Sequence, residues 1–284
     1  MLESLPSLKE TIRIHDLWAK KALGQHFLCD MSLMRKIVSL AGDLSGCSVI
    51  EIGAGPGGLT RALVESNAEK IIVIEKDPRF IPVIEEIANL SNGKLSYVIE
   101  DALKVDMESL AKKPRAVVAN LPYNIGSEIL IMLLRKIASC NTESVLEEYR
   151  SMTFMFQEEV ADRICAKPST STFGRLSIIS QFYCDVEKLM IVSREAFLPP
   201  PKVRSAIVRL VPKTNRMPSV SFEALEKVTG LGFGQRRKML RSSLKAIGGE
   251  EILVKAGINP SLRAENLSIE EFGKLALLGG VLIK

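Results

Sequence analysis

Four residues that could contact a ligand stand at the ends of four successive apolar runs: Gly53, Glu75, Asp101 and Asn120. A glycine lets the backbone approach a ligand closely. Carboxylates accept hydrogen bonds, and a carboxamide both donates and accepts them. Each residue alone could belong to a turn, for example an Asx turn at Asp101. If the runs are parallel strands, however, the four residues share the sheet edge at which such sheets bind ligands, which favours one common ligand.

The first of these loops, VIEIGAGPGGLT, matches two cofactor-binding patterns. Gly53, Gly55 and Gly58 satisfy the dinucleotide pattern G-x-G-x-x-G. Counted from Glu51, the same loop satisfies E-x-G-x-G-x-G, which resembles the first motif of S-adenosylmethionine-dependent methyltransferases. In both patterns the glycines allow a sharp turn, and the following helix presents unpaired N–H groups to the ligand. The loop by itself therefore predicts a nucleotide-like cofactor and leaves its identity open.

The carboxylates of Glu75 and Asp101 fit a cofactor that contains adenosine. Glu75 ends the second predicted strand, where a carboxylate can accept hydrogen bonds from both hydroxyls of a ribose. Asp101 can accept a hydrogen bond from the exocyclic amino group of an adenine ring. Since NAD and S-adenosylmethionine both contain these groups, the choice between them depends on the fourth strand.

The fourth predicted strand ends in NLPY, which resembles the motif of methyltransferases that act on exocyclic amines of nucleobases. The amino nitrogen of adenine is a weak nucleophile because its lone pair is delocalised into the ring. The Asn120 side-chain oxygen and the Leu121 carbonyl could accept its hydrogens and favour a pyramidal nitrogen, while Pro122 stiffens the turn. Tyr123 offers a face on which an extruded base can stack. The alternative is an ordinary turn with a core aromatic.

Alternating apolar runs and helical patterns predict the elements that position these residues. Five runs are predicted as strands, at residues 47–52, 70–75, 95–100, 115–120 and 152–157. Their continuous apolar character is typical of parallel strands that are covered on both faces. Helical spacing predicts helices at residues 31–41, 58–67, 78–90 and 126–139. The alternation predicts a Rossmann-like, doubly wound α/β domain.

The pattern changes after residue 185. The runs EKLMIVS and VRSAIVRLV predict an antiparallel hairpin at one side of the sheet. From Pro212 onward the patterns are helical only, with GQRRKMLRSSLKAI as one helix and a capping box of Ser268 and Glu271 before the last helix. The predicted division is an N-terminal tail (1–19), an α/β domain (20–211) and a small all-helical domain (212–284).

The positive charge of the chain is concentrated in the predicted helical domain. The 284-residue chain has a net charge of +5, and residues 212–284, with 12 basic and 7 acidic residues, carry all of that excess. Residues 235–245 contain five basic and no acidic residues, which indicates either a polyanionic partner or a solvated helix face.

The remaining composition excludes several classes of protein. The five cysteines are widely spaced and form no C-x-x-C motif, which is typical of reduced thiols in a cytoplasmic protein. With only two histidines, a metal site is not expected. No run of 18 apolar residues predicts a membrane-spanning helix.

Taken together, the motifs resemble those of the rRNA adenine N6-dimethyltransferase family, most closely its bacterial small-subunit type. They occur in order from about residue 20 to the end of the chain: KKALGQHFLCD, VIEIGAGPGGLT, IEKD, EDALKVD, NLPYNI, FMFQEEVADRI, FGRLSIISQFYCDV, FLPPPKVRSAIVRLVP and FGQRRKMLRSSLK. Two positions depart from the pattern. His26 stands where many relatives carry Asn, and Phe173 stands where Tyr is common.

The resemblance implies roles for particular residues. S-adenosylmethionine would be the cofactor, bound by His26, Leu28, Gly53, Gly55, Glu75, Asp101 and Asn120. The target amine would be held by Asn120, Leu121, Pro122 and Tyr123, with Phe197 as a second aromatic wall for the base. Phosphates would be bound by Arg204, Arg236, Arg237, Lys238 and Arg241.

The resemblance also implies a reaction and a partner. The substrate would be two adjacent adenosines in the 3′-terminal hairpin loop of small-subunit rRNA, each methylated twice within an immature 30S-type subunit. A binding role in subunit assembly is compatible with this activity, and a monomer is expected. Two alternatives remain. A large-subunit rRNA adenine methyltransferase would share the motifs of the first domain, and an NAD-dependent oxidoreductase would fit G-x-G-x-x-G but leave NLPY unexplained.

Overall fold

The structure is a computed structural model that describes residues 2–20, 24–216 and 218–281. Residues 21–23 of the motif KKALGQHFLCD lie outside the described residues. The chain divides into two compact units. The first unit contains Met1–Met132, Leu146–Ala161 and Glu187–Val211, and the second contains Leu133–Val145, Asp162–Val186 and Pro212–Lys284. One boundary between the units falls at Pro212, and the second unit also includes two earlier segments.

The central element of the first unit is a mixed sheet of seven strands in the order β4-β3-β2-β5-β6-β9-β7. A separate two-stranded ribbon pairs β1 with β8. The strands of the described residues are β1 Phe27–Leu28, β2 Ser48–Ile52, β3 Lys70–Glu75, β4 Leu95–Ile99, β5 Arg115–Asn120, β6 Tyr149–Gln157, β7 Cys184–Val192, β8 Phe197–Leu198 and β9 Ser205–Pro212. All five predicted parallel strands are present, within three residues of their predicted starts.

The register of the strands aligns their carboxyl ends. Strands β4, β3, β2, β5 and β6 are parallel, and β9 is antiparallel to β6. Glu75 lies opposite Ile99, and Ile52 lies opposite Ile74, so the loops after β2, β3 and β4 leave the sheet at one edge. The buried residues of β2, β3 and β5 are apolar on both faces, as the continuous runs predicted, with the exceptions of Ser48, Glu51, Glu75 and Arg115. The Rossmann-like α/β class is confirmed.

Helices connect the parallel strands, as a parallel sheet requires. The helices of the described residues are α1 Leu8–Ile14, α2 Met31–Leu40, α3 Gly58–Val64, α4 Ile81–Asn89, α5 Met107–Leu110, α6 Gly126–Ser139, α7 Val145–Glu148, α8 Glu158–Ile164, α9 Arg175–Tyr183, α10 Phe222–Gly234, α11 Leu240–Ser243, α12 Gly249–Lys255 and α13 Ile269–Val281. None of these helices is both long and apolar enough to cross a membrane.

The N-terminal segment is packed rather than extended. Helix α1 begins with a capping box, in which Ser7 and Glu10 satisfy each other's backbone N–H groups. Leu8, Ile12 and Leu17 are almost completely buried in the first unit. The guanidinium group of Arg61, on α3, donates hydrogen bonds to the Pro6 carbonyl and the Thr11 hydroxyl. The segment that the sequence treated as a tail therefore contributes to the core.

The second unit is organised around aromatic side chains. The Phe182, Tyr183 and Phe222 rings pack in one group, and the Phe173, Phe233 and Phe272 rings in another. Seven of the nine residues of α9 are buried, and this helix packs against α10 and α13. This packing explains why Asp162–Val186 clusters with the C-terminal helices.

The predicted single helix over GQRRKMLRSSLKAI is wrong. Helix α10 ends at Gly234, and a turn over residues 235–239 leads into the four-residue α11. The reason lies in the backbone: the N–H groups of Leu240 and Arg241 donate to the carbonyls of Leu262 and Pro260, 2.8 and 3.1 Å away. Tertiary hydrogen bonds thus replace helical ones. The capping box before α13 is confirmed by hydrogen bonds of 2.7 and 3.1 Å between Ser268 and Glu271.

Candidate active site

Three segments of the first unit meet at the carboxyl edge of the sheet. We name them the strap (residues 24–28), the glycine loop (residues 53–58) and the NLPY loop (residues 120–126). Gly53 has a φ of +78°, and a Cβ atom on it would lie 4.0 Å from Pro122 Cδ, so the glycine loop and the NLPY loop meet there. A Cβ atom on Gly55 would lie 3.5 Å from the Phe27 ring of the strap. Both distances are ordinary van der Waals contacts, and the positive φ of Gly53 and Gly55 is what favours glycine at these two positions.

Two cavities open between these segments. The first is lined by the whole strap and by parts of both loops: Gly24, Gln25, His26, Phe27, Leu28, Met34, Gly53, Ala54, Gly55, Pro56, Gly58, Leu59, Glu75, Phe80, Asn120, Leu121, Pro122 and Tyr123. The second, of about 370 Å³, lies at the ends of β2, β3 and β4 and is lined by Lys20, Gln25, Ile52, Gly53, Ile74, Glu75, Lys76, Asp77, Pro78, Glu100, Asp101, Ala102, Pro122, Asn124 and Ile125. Gly53 and Glu75 line both cavities.

Glu75 is held between the glycine loop and the end of its own strand. The Gly55 N–H donates to one carboxylate oxygen at 3.1 Å, and the Asp77 N–H donates to the other at 2.8 Å. Burial raises the pKa of Glu75, and the backbone N–H donors offset part of that rise. Each oxygen can accept a further hydrogen bond, so the carboxylate is oriented to receive a pair of hydroxyl donors.

Asp101 combines a structural role with access to the second cavity. Its Oδ1 atom accepts a hydrogen bond from the Leu103 N–H at 3.1 Å, which is an Asx turn. Its Oδ2 atom accepts one from Lys76 Nζ at 2.7 Å, and this contact lowers the pKa of Asp101. The carboxylate is thus ionised at neutral pH, with lone pairs left for a donor in the cavity.

Asn120 and Pro122 form the start of a tight turn. The Ile125 and Gly126 N–H groups donate to the Pro122 carbonyl, at 3.2 and 3.1 Å. The half-buried Asn120 carboxamide lines the first cavity, and no residue in the described ranges forms a hydrogen bond with it. A carboxamide without a protein partner can bind a ligand without breaking an internal contact.

Tyr123 and His26 face each other across the first cavity. Their ring centroids are 5.7 Å apart, and the ring planes are tilted by 30°. The Tyr123 hydroxyl forms a 2.7 Å hydrogen bond with the Ser205 hydroxyl. His26 Nδ1 lies 2.7 Å from the Pro199 carbonyl oxygen. Because a carbonyl oxygen only accepts, the hydrogen of that bond belongs to Nδ1, and Nε2 of the neutral ring is left as an acceptor.

Of the predicted catalytic and cofactor-binding residues, all of which lie in the described ranges, Phe197 is the one that lines neither cavity. It lies in β8, where it pairs with Leu28 of β1, and its side chain is only 4% exposed. The ring packs in the core of the first unit. Leu28, in contrast, lines the first cavity. The role of Phe197 as a wall for the base stays a prediction.

Two further residues near the cofactor loop escaped the sequence analysis as site residues. Glu51 and Thr60 are completely buried, and neither the Glu51 carboxylate nor the Thr60 hydroxyl has a hydrogen-bond partner among the described residues. Burial raises the pKa of Glu51 to about 8, the nearby Thr60 hydroxyl and N–H offset part of that rise, and the charge of Glu75 adds to it. Glu51 appeared in the sequence only as the first letter of a motif. Its burial depends on the three-dimensional packing of β2.

The five predicted RNA-binding residues differ in their surroundings. Arg204 donates two hydrogen bonds to the Glu158 carboxylate, and Arg236 donates to Glu265 and to the Ser171 carbonyl. The exposed side chains of Arg237, Lys238 and Arg241 have no ion-pair or hydrogen-bond partner in the part of the chain that the structure describes. These three cations are therefore the ones available to a polyanion.

Comparison with protein families identifies the chain. The model of the family described as "Ribosomal RNA adenine dimethylase" matches residues 17–278. The chain belongs to this family. It is similar to the protein named ribosomal RNA small subunit methyltransferase A in Gluconobacter oxydans, with 47% identity over 97% of the chain and 88% of the relative. A relative of the same name in Phenylobacterium zucineum is 49% identical over 97% of the chain and 93% of its own length.

Two solved structures of methyl- or dimethyladenosine transferases have the same fold. The crystal structure of a dimethyladenosine transferase from Plasmodium falciparum superposes with a TM-score of 0.75 at 27% identity, covering 89% of this chain and 96% of that one. The 23S rRNA methyltransferase ErmE superposes with a TM-score of 0.65 at 24% identity, covering 89% and 98%. The predicted family and fold are thus confirmed, and the chain is an enzyme of the methyltransferase class. The oxidoreductase alternative is excluded by this membership.

Proposed function

We propose that this enzyme transfers methyl groups from S-adenosylmethionine to the exocyclic amine of adenosines in small-subunit rRNA. The substrate would be two adjacent adenosines in the 3′-terminal hairpin loop, each methylated twice. The observation that carries the proposal is the meeting of the glycine loop and the NLPY loop, where Gly53 approaches Pro122 beside one cavity. A cofactor bound on the glycine loop would therefore lie next to the residues suited to an adenine amine.

The residues at the sheet edge fit S-adenosylmethionine. Glu75 presents an oriented carboxylate to the two ribose hydroxyls. Asp101, in the cavity of about 370 Å³, is placed to accept from the adenine amino group. His26 and Leu28 of the strap, with Gly53 and Gly55, would hold the rest of the molecule. When bound, the cofactor supplies a methyl group that its sulfonium already activates.

The NLPY loop would orient the target amine. The Asn120 side-chain oxygen and the Leu121 carbonyl would accept the two amine hydrogens and direct the nitrogen lone pair toward the cofactor. Tyr123, held by Ser205, would support the base by stacking. The protein's contribution is alignment of the reacting atoms and exclusion of water, which can provide a large part of a rate enhancement for group transfer.

The second unit would bind the RNA backbone. Arg237, Lys238 and Arg241 are exposed cations without internal partners among the described residues, and each can bind one phosphate. We propose that the enzyme acts as a monomer on an immature 30S-type subunit in the cytoplasm. A docking role in subunit assembly is compatible with this activity, because phosphate binding does not require methyl transfer.

The relatives favour the small subunit over the large one. The two relatives named for the small subunit are 47% and 49% identical to this chain over nearly its whole length. The large-subunit enzyme ErmE is 24% identical, which supports the shared fold alone. The departure of His26 from Asn leaves a hydrogen-bonding side chain in the strap and does not distinguish the two substrates.

A methyl-transfer assay tests the proposal. Radiolabelled S-adenosylmethionine is incubated with this protein and either under-methylated small subunits or large subunits, and dimethyladenosine is mapped on both rRNAs by primer-extension stops. We expect label and stops in the small-subunit rRNA only. Label in the large-subunit rRNA would favour the alternative activity. A folded protein that binds the cofactor yet labels neither RNA would contradict the proposal.

A further inference from the structure

The hydroxyl of Tyr123 is bonded to a residue that is far from it in sequence. Ser205 Oγ lies 2.7 Å from Tyr123 Oη, and the two residues are 82 positions apart. Ser205 is completely buried and is the first residue of β9, where it pairs with Gln157, the last residue of β6. The Tyr123 phenol is thus hydrogen-bonded to the sheet at the point where β6 ends and β9 begins.

A second set of contacts fixes the backbone next to Ser205. The Glu158 N–H donates to the Arg204 carbonyl at 3.0 Å. The Arg204 guanidinium returns two hydrogen bonds to the Glu158 carboxylate, at 2.8 and 3.1 Å. Paired hydrogen bonds between a guanidinium and a carboxylate restrict orientation as well as distance. We name Glu158, Arg204 and Ser205 the serine clamp.

We propose that Ser205 is a positioning residue for methyl transfer, which sets the ring plane of Tyr123 through the hydroxyl pair, and that Arg204 supports it as part of the serine clamp rather than as an RNA contact. This inference rests on the proposed function, since it concerns how the target base is held. It assigns a role to a serine in strand β9 and removes one arginine from the predicted phosphate-binding set.

The physical argument concerns rotation of the ring. Without a partner for its hydroxyl, Tyr123 can turn about its side-chain bonds into the space toward His26, whose ring centroid is 5.7 Å away. A base stacks well only on a ring face that is already in the right plane, and reacting groups lose much of their advantage when displaced by about 1 Å. Side chains of a site are held in place by a supporting layer of hydrogen bonds, which is the role that Ser205 can fill.

The alternative is that the hydroxyl pair only satisfies two polar groups in a buried region, which most proteins achieve in some way. That alternative predicts a loss of stability but no specific loss of activity. A suitable control is Ser151, another buried serine in the same sheet, whose hydroxyl donates to the Ala41 carbonyl at 3.3 Å and which lines neither cavity.

The test compares four variants: Ser205→Ala, Tyr123→Phe, the double variant, and Ser151→Ala. For each, kcat and KM for small-subunit rRNA, the Kd for S-adenosylmethionine and the thermal midpoint are measured. We expect Ser205→Ala to lower kcat/KM for rRNA about tenfold with unchanged cofactor affinity, because base stacking is lost in part. Since each hydroxyl acts through the other, the double variant should be no worse than either single variant.

Tyr123→Phe leaves β9 untouched, so it tests the hydroxyl pair even if Ser205→Ala fails to fold. The proposal is overturned if Ser205→Ala and Ser151→Ala lower the thermal midpoint alike while both keep wild-type kcat/KM, or if the two single losses multiply in the double variant. If the wild-type protein labels no rRNA, the proposed function fails first, and the positioning role with it. If the wild-type protein does methylate rRNA and either of the two overturning results is found, only the positioning role of the serine clamp is overturned.

The Arg204 arm of the proposal is tested by salt dependence. A phosphate contact contributes close to one unit to the slope of log K against log salt concentration. We expect Arg204→Gln and Glu158→Gln to leave the slope of rRNA binding unchanged and to lower kcat/KM by similar factors. Arg237→Gln serves as the positive control for a lost phosphate contact. A slope reduced by about one unit in Arg204→Gln, but not in Glu158→Gln, would assign Arg204 to the RNA instead.

Discussion

The carboxyl edge of the sheet presents carboxylate acceptors to a ligand, whereas the basic segment at residues 235–245 presents cations. At the sheet edge, one buried carboxylate is oriented by two backbone N–H groups of neighbouring elements. In the basic segment, cationic side chains project from a turn and a four-residue helix. The arrangement at the sheet edge determines the orientation of a bound ligand, whereas the arrangement in the basic segment determines the local density of positive charge. A site for positioned chemistry therefore depends on strand register, and a site for a backbone polyanion depends on which cations are left unpaired.

The largest expected effect is at Glu75. Glu75→Gln removes the charged acceptor for two ribose hydroxyls, so the affinity for S-adenosylmethionine should fall about 100-fold. Titration calorimetry measures this Kd directly. Glu69→Gln, a substitution at an exposed position just before the same strand, should leave the Kd for S-adenosylmethionine unchanged. An unchanged Kd in Glu75→Gln would remove the basis for treating the sheet edge as the geometric site.

Asn120→Ala should separate cofactor binding from chemistry. We expect kcat for methyl transfer to fall about 100-fold because the amine loses an acceptor that aligns it. The cofactor Kd should change much less, since the strap and the glycine loop remain intact. Steady-state kinetics together with calorimetry separate the two quantities. Asn67→Ala, at an exposed position that lines neither cavity, is the matched control. Equal losses in both variants would contradict a direct role of Asn120.

Glu51 predicts a dependence of stability on pH. Its pKa rises from 4.5 to about 8 on folding, so between these values the folded chain keeps a proton that the unfolded chain has lost. The free energy of unfolding should therefore fall as pH rises through this range, by at most about 1.4 kcal/mol per pH unit, and the contribution is complete below pH 4.5. Denaturant melts of the wild type and Glu51→Gln at pH 5 and pH 8 measure the difference. Parallel pH profiles would show that Glu51 is ionised when folded.

Arg237 and Arg241 should contribute additively to the salt dependence of rRNA binding. Each substitution to Gln should lower the slope of log K against log salt concentration for rRNA binding by about one unit, with no change in cofactor Kd. Filter binding over a range of salt concentrations measures the slope. Lys255→Gln is the control, because Lys255 is already paired with Glu251 at 2.8 Å. A slope that stays at the wild-type value would remove these arginines from the RNA-binding surface.

The smallest expected effect is at Arg236, which lies beside Arg237 but is paired. Arg236→Gln should lower the free energy of unfolding by less than about 1 kcal/mol, because its 2.9 Å ion pair with Glu265 is partly exposed to solvent. The salt slope of rRNA binding should not change. Thermal melts measure the change in stability and filter binding measures the salt slope, and together they distinguish Arg236 from Arg237. A slope reduction equal to that of Arg237→Gln would mean that the ion pair opens when RNA binds.

The contrast between the two regions also explains what the sequence could predict. Strand β5 was predicted in full, and Glu75 and Asn120 were placed at one edge, because continuous apolar runs specify parallel strands and parallel strands align their ends. The register of β9 with β6, which brings Ser205 to Tyr123, has no such signal. A serine in an apolar strand looks the same whether its hydroxyl positions another residue or not.

The basic segment failed as a helix prediction for a related reason. Local propensity allowed a helix, but the Leu240 and Arg241 N–H groups are bonded to a loop some twenty residues later in the chain. Such tertiary hydrogen bonds override a local preference of a few tenths of a kcal/mol per residue. The separation of Arg236 from Arg237 by pairing likewise depends on Glu265, which the local sequence does not include.

The small ribbon of β1 and β8 has a consequence for how the molecule is made. It joins the strap to a segment near residue 198, and His26 and Pro199, which are hydrogen-bonded beside it, are 173 positions apart. During synthesis the strap leaves the ribosome early, but its pairing partner does not exist until most of the chain has been translated. The glycine loop and Glu75 are complete well before that point. Assembly of the cofactor site therefore ends with a late, long-range closure, and a chain interrupted before Phe197 would lack the strand and the carbonyl group that hold the strap.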